Sequence, residues 1–139
     1  MSQAPTIYRT VHRIHFSDLD PYNHLRTALY PAYYVDHRMI GLRENAGWDL
    51  KTLGTLPFMT WVRRMEVEFL KPVVGDQAIV ITSFVKEFQG PDAHIECAMS
   101  DDAGTPYSRC RMVVACVDKR TQRGMEWPAE AKALFFQPE

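Results

Sequence analysis

The chain is expected to adopt an α+β fold, with one long helix packed on an antiparallel five-stranded sheet. Three observations lead there. Residues 29–46 carry apolar side chains at helical spacing, several other stretches alternate with period two, and the order is strand, long helix, then four consecutive strands. A helix followed by a run of adjacent strands implies an antiparallel sheet with the helix layered on one face.

Each element follows from local chemistry. Residues 6–17 alternate well enough for a strand, with Ile14 and Phe16 on one face and Arg13 and His15 on the other. Asp20-Pro21 ends it, because proline disfavours helix at the preceding residue and cannot donate to a ladder. From Leu29 to Ala46, Leu29, Tyr33, Val35, Met39, Ile40 and Leu42 form a broad apolar stripe. Pro31 fits the first turn, Gly47 follows the end, and Arg38, Arg43 and Glu44 are expected on the wet side. Residues 48–56 read as a loop. A long strand over 57–71 sets Met59, Trp61, Met65, Val67 and Phe69 against Arg64, Glu66 and Glu68, with Arg63 interrupting the apolar face. Pro72 and Gly75-Asp76 punctuate the next turn. Further strands are expected over 77–88, 92–100 and 105–118, separated by Gly90-Pro91 and by an Asp101–Gly104 hairpin turn. A short helix is expected from Pro128 to Phe135. The mixed strand faces suggest that part of the sheet pairs with another subunit.

Bulk properties narrow the function. A length of 139 residues suits one domain, residues 1–139, with one core. A net charge of −1 leaves no basic footprint for nucleic acid. No apolar run reaches the ~20 residues that span a bilayer. The start, Met-Ser-Gln-Ala-Pro, lacks the basic and apolar regions of a secretory leader. A cytoplasmic protein with no membrane partner is therefore expected. Cys97, Cys110 and Cys116 show no Cys-x-x-Cys spacing and read as reduced, buried thiols. His12, His15, His37 and His94 have no metal-ligand spacing, so they read as structural or surface residues and no metal site is expected.

The segment 15–38 stands apart. A strand ends in two carboxylates, Asp18 and Asp20; a turn with Pro21 and Asn23 follows, then His24, then an aromatic-rich helix. A charged base or nucleophile and the free N–H donors of a helix start are thereby collected at one spot.

These residues carry a resemblance. Asp18-x-Asp20-x-x-x-His24, with Tyr30 six residues later opening the helix, resembles the hot-dog fold acyl-CoA thioesterases, in particular the 4-hydroxybenzoyl-CoA thioesterase-like branch and the related acyl-ACP thioesterases. A second stretch, from Val62-Arg63-Arg64 through Glu66, Glu68-Phe69-Leu70-Lys71-Pro72 to Gly75-Asp76, is similar to the family's long strand and the Pro-x-x-Gly-Asp turn after it. The chain departs from many relatives in two places. Arg26 and Thr27 stand where two asparagines are common, and Asn23 stands where a glycine is common.

The resemblance implies hydrolysis of an acyl-CoA to free acid and CoA, with no cofactor, in a homodimer or homotetramer whose sheets join edge to edge. Asp20 occupies the position of the catalytic carboxylate, as nucleophile or general base. His24 could hydrogen-bond that carboxylate or shape the turn. Asp18 reads better as a structural hydrogen-bonding group. Tyr30 and its neighbours would present backbone N–H groups to the thioester carbonyl, and Thr27 could cap the helix through its hydroxyl. Coenzyme A carries phosphates, so cations are expected near the mouth: Arg26, Arg63, Arg64, Lys71 and Arg111 are candidates. Tyr30, Tyr33, Tyr34, Phe58, Met59 and Trp61 could line an acyl pocket or form plain core. Two other readings compete. One is a non-catalytic acyl-CoA-binding module, suggested by Arg26 and Thr27. The other is a hot-dog hydratase or dehydratase, which fits less well because Asp36 and Glu44 are the only carboxylates on the helix.

Overall fold

A computed structural model describes residues 3–138. Its strands are β1 (Tyr8–Arg13), β2 (Phe58–Phe69), β3 (Ala78–Gln89), β4 (Asp92–Ser100) and β5 (Pro106–Asp118). Its helices are α1 (Tyr30–Ala46), α2 (Leu50–Thr55) and α3 (Ala129–Ala133). One sheet has the order β1-β3-β4-β5-β2, with every pair antiparallel. The long α1 packs on one face of it, as the sequence leads one to expect. Gly47, in the left-handed region at φ 70, ends α1 by donating its N–H to the Leu42 carbonyl.

Three elements differ from expectation. β1 stops at Arg13, and Phe16–Asp18 form a 3₁₀ turn that turns Phe16 out to solvent. Residues 50–55 are helical, because the Asp49 side chain accepts the Thr52 N–H at 2.8 Å and caps the segment. In β2 the pairing shifts between Val62 and Arg64, so Arg63 is the extra residue of a bulge. The bulge reverses the alternation. Phe58, Thr60 and Val62 lie opposite the inward-facing Cys116 and Val114 side of β5, and so do Met65 and Val67 after the bulge. Met59 and Trp61 therefore lie on the outer face, apart from Met65 and Val67, and Trp61 is 56% exposed.

The core between α1 and the sheet holds Tyr30, Tyr33, Tyr34 and the inward side chains of β3, β4 and β5. Cys97, Cys110 and Cys116 are free and buried within it. An aromatic cluster of Trp48, Phe58, Phe88, Trp127 and Phe135 closes the end near α3.

Arg38 corrects the expected wet face of α1: it is 7% exposed, under the helix. A buried polar chain explains how it is held. Arg38 donates to Ser83 Oγ at 2.9 Å, and its guanidinium lies 4.5 Å over the Tyr8 ring. Ser83 Oγ meets His37 Nε2 at 2.6 Å, His37 Nδ1 meets Thr10 Oγ1 at 2.7 Å, and Thr10 Oγ1 meets His12 Nε2 at 2.6 Å. His37 has 0% exposure, and burial, reinforced by the charge of Arg38, pulls its pKa down to about 3. It is therefore neutral, and one ring nitrogen donates while the other accepts.

Candidate functional site

The Asp20 loop is built by short hydrogen bonds. Asp20 donates its N–H to the His24 carbonyl at 2.8 Å, and Asn23 donates to the Asp20 carbonyl at 3.0 Å. The Asp20 carboxylate accepts two more N–H groups through Oδ1, from Tyr22 at 2.8 Å and from His24 at 3.0 Å. Among the described residues, Oδ2 has no hydrogen-bond partner. One oxygen thus fixes the loop and the other is left without a partner. Asn23 closes the turn at φ 63, a conformation that asparagine tolerates far better than most residues. The departure from glycine at this position therefore keeps the loop geometry.

Asp18 points elsewhere. Its Oδ2 accepts from the Tyr33 hydroxyl at 2.7 Å, and the same hydroxyl receives the His15 N–H at 3.3 Å. Burial and the bond to Asp18 push the Tyr33 pKa up to about 12. Asp18 is thus a structural anchor between the 3₁₀ turn and α1. His24 meets Asp20 through its backbone N–H, while its ring makes no hydrogen bond among the described residues.

A cavity of about 270 Å³ gathers Asp20, His24, Thr27, Tyr30 and Lys71, with Phe69, Leu70 and Pro72 on the facing wall. Its two walls are the two stretches that carry the sequence resemblance. They are joined by direct bonds: Leu25 donates to the Val73 carbonyl at 2.7 Å and Gly75 to the Asn23 carbonyl at 2.9 Å. Tyr30 braces the junction, its hydroxyl accepting the Val73 N–H at 3.3 Å and its ring standing edge-on to Phe69 at 4.9 Å.

The helix start differs from expectation. Thr27–Leu29 form a 3₁₀ turn, so Leu29 takes the cap position of α1 and no side chain caps the helix. Thr27 is therefore not the cap. The Tyr30 N–H is already bonded to the Thr27 carbonyl, and Pro31 has no N–H. Among the described residues, the N–H groups of Thr27 and Ala28 make no hydrogen bond, and Thr27 lines the cavity. The sequence points to the helix start, but the 3₁₀ turn that shifts the free donors three residues upstream was not read from it.

The candidate cations separate. Lys71 lines the Asp20 cavity. Arg26 is exposed and donates to the Leu19 carbonyl at 3.3 Å, outside the lining. Arg63, at the β2 bulge, pairs with Asp92 at 2.7 Å beside an outer-face hollow. Arg64 pairs weakly with Glu66 at 3.8 Å, and Arg111 lines a groove of charged residues on the outer sheet face. None of these four arginines lines the Asp20 cavity within this chain. A second cavity, apolar and about 230 Å³, lies between α1 and the sheet. None of the six expected acyl-pocket residues lines it. Its walls include Val35, Met39, Trp48, Val62 and Met112, while Tyr30, Tyr33, Tyr34 and Phe58 pack as core.

Among the described residues, no helix is long and apolar enough to cross a membrane. No curated protein sequence matches the chain. Solved structures match over nearly its whole length. A hypothetical protein, SAV2348 from Staphylococcus aureus in complex with CoA, aligns at TM-score 0.84 and 14% identity, over 96% of this chain and 84% of that one. The probable thioesterase YbaW from Escherichia coli aligns at 0.81 and 18%, over 91% and 95%. A thioesterase from Thermus thermophilus, complexed with coenzyme A and Zn, aligns at 0.75 and 19%, over 91% and 90%. These likenesses establish the hot-dog fold. The family model described as thioesterase-like superfamily matches residues 14–135, with both halves of the Asp20 cavity inside the match, and the chain belongs to that superfamily.

Proposed function

We propose that the protein hydrolyses an acyl-CoA thioester to the free acid and CoA, with Asp20 as the reacting carboxylate. The observation that carries this reading is that Asp20, whose Oδ2 is unengaged, and Thr27, whose N–H is unbonded, line one cavity, with the unbonded N–H of Ala28 next in the chain. Hydrolysis needs both a group that attacks or activates water and donors for the oxygen that becomes negative. Fixing Oδ1 with two N–H bonds orients the carboxylate before substrate arrives. Lys71 lines the same cavity, which supports a role as a point charge for a phosphate of the CoA arm. CoA in two of the similar structures supports the same carrier here.

Two routes use this arrangement. In one, Oδ2 attacks the thioester carbon, forms a mixed anhydride and expels CoA thiolate; water then cleaves the anhydride and regenerates the carboxylate. In the other, Oδ2 takes a proton from a water that attacks the thioester carbon directly. Label in the Asp20 carboxylate after a single turnover in ¹⁸O-water identifies the anhydride route, because direct attack labels only the product acid.

A homodimer joined at β2 belongs to this reading. β2 is an edge strand, and it exposes Trp61, Val62 and Phe69 along an unpaired ladder. Light scattering checks the mass. Free-thiol release from a panel of acyl-CoAs tests the activity. Turnover supports the reading, whereas CoA-ester binding without turnover would replace it with a binding module.

A further inference from the structure

The apolar cavity between α1 and the sheet contains one charge. Arg38 is part of a lining otherwise made of side chains such as Val35, Met39, Val62 and Ile95, with Thr60 as its only other small polar group. No carboxylate pairs with Arg38 among the described residues. The groups beside it, Tyr8 and Cys97, are both held protonated, since burial raises the Tyr8 pKa and the bond to Cys110 together with burial raises that of Cys97. A guanidinium has five N–H donors, and Ser83 engages one of them. Tyr8 Oη and His94 Nε2 are the fully enclosed side-chain polar atoms that lack a partner among the described residues. The spare donors of Arg38 are not among them, and Arg38 is the one charged residue in the lining of the cavity.

A buried, uncompensated cation is costly, and a chain retains one where something neutralises it. Among the described residues, Arg38 has the neutral Ser83 hydroxyl and the Tyr8 ring but no opposite charge, which a bound anion would supply. The cavity, at about 230 Å³, is below the ordinary ~300–1,000 Å³ of a whole small-molecule site. It suits one end of a ligand. Arg38 follows Tyr30 by eight residues, so it lies ~12 Å further along α1 than the helix start beside Asp20. Both cavities border α1 and β2: Tyr30 and Phe69 at the Asp20 cavity, Val35 and Val62 at this one.

We propose that this cavity receives the distal end of the acyl group, that this end carries a carboxylate, and that Arg38 binds it. The preferred substrate is then the monothioester of a dicarboxylic acid. Planar, forked donors match a carboxylate in two-point fashion. An acyl chain ending in a methyl group would leave the same guanidinium covered and unpaired, so it is rejected as well as bound less well. This inference rests on the thioesterase reading for the reaction but not for the binding.

The test compares matched CoA esters, hexanoyl with adipoyl and octanoyl with suberoyl, on wild-type protein, Arg38→Met and Arg38→Lys. The expected result is a wild-type kcat/KM roughly 10- to 100-fold higher for the carboxylate-bearing esters, the range for a hydrogen bond to a charged group. Arg38→Met should abolish or reverse that preference, and Arg38→Lys should keep part of it. If Arg38→Met fails to fold, the wild-type pair and Arg38→Lys decide the question. Neutral esters cleaved as fast by wild type would overturn the proposal and leave the thioesterase reading standing. If no thioester is cleaved, that reading falls, and free suberate and adipate test the cavity by themselves. A rise in wild-type Tm absent from Arg38→Met supports the site, and no rise with wild type overturns it.

Discussion

The backbone N–H of Gly75 donates to the carbonyl of Asn23 across 2.9 Å, and this bond holds the turn after β2 against the loop that carries Asp20. The contact has no room for a side chain. A Cβ at residue 75 would come within 2.5 Å of Asn23 Oδ1 and 2.6 Å of Leu19 Cδ1. Gly75→Ala is therefore expected to push aside the Asn23 and Leu19 side-chain ends that pack under the Asp20 loop. It should cost ~1–3 kcal/mol of stability, as overpacking commonly does, and lower kcat more than a remote substitution of equal cost. Urea denaturation and thiol-release kinetics on the same preparation measure both.

Asp20 has a structural oxygen and a chemical one, so the two roles can be separated. Asp20→Asn keeps an acceptor for the Tyr22 and His24 N–H groups and removes the charge. It should fold with a Tm close to wild type yet lose roughly 10²-fold or more in kcat. Asp20→Ala should lose a similar factor and also ~1–2 kcal/mol of stability, because two loop N–H groups lose their acceptor. Equal activity in Asp20→Asn and wild type would exclude the carboxylate from the reaction.

Asp18 should behave in the opposite way. Tyr33→Phe removes the donor to Asp18 Oδ2 and the acceptor of the His15 N–H. The expected cost is ~1–2 kcal/mol of stability with kcat reduced less than tenfold. A thermal melt beside a kinetic assay checks the split.

Stability should fall on mild acidification. His37 has a folded pKa of about 3 against an ordinary 6.5, so the unfolded chain binds the proton more readily. Its contribution is complete above pH 6.5 and is lost as pH falls from there toward 3. Burial lowers His12 in the same direction. Each histidine contributes up to ~1.4 kcal/mol per pH unit within its window. Urea midpoints at about pH 7.5 and about pH 5.5, on either side of the ordinary histidine pKa, should therefore differ, and His37→Gln should flatten the slope. The lowered carboxyls of Asp49, Asp101 and Asp118 act in a lower window, below their ordinary 3.8.

The cations should divide by place. Lys71→Ala should raise KM for a CoA ester several-fold with kcat little changed, since Lys71 borders the cavity. Arg26→Ala, which frees only the Leu19 carbonyl, should leave both nearly unchanged. Steady-state kinetics at low salt, where charge attraction is least screened, shows the contrast.

Strand and helix order, the glycine that ends α1 and the Asp20 segment as the place of interest are legible in the residues alone. These rest on periodicity and on residues with strong local preferences, which act over a few positions and need no knowledge of neighbours in space. The rest came from contacts between segments distant in the chain or from single-turn irregularities. Arg38 looks like a wet-face cation until β1 and β3 supply Tyr8 and Ser83 to hold it inside. Arg63 looks like a flaw in the apolar face of β2 until pairing with β5 makes it a bulge and reverses the faces before it. The free donors fall on Thr27 and Ala28 because of a 3₁₀ turn, and Asp18 parts from Asp20 because Tyr33 reaches it from α1. In each case the deciding partner lies many residues away or in a single-turn irregularity, and period-two or period-3.6 patterns carry no record of either.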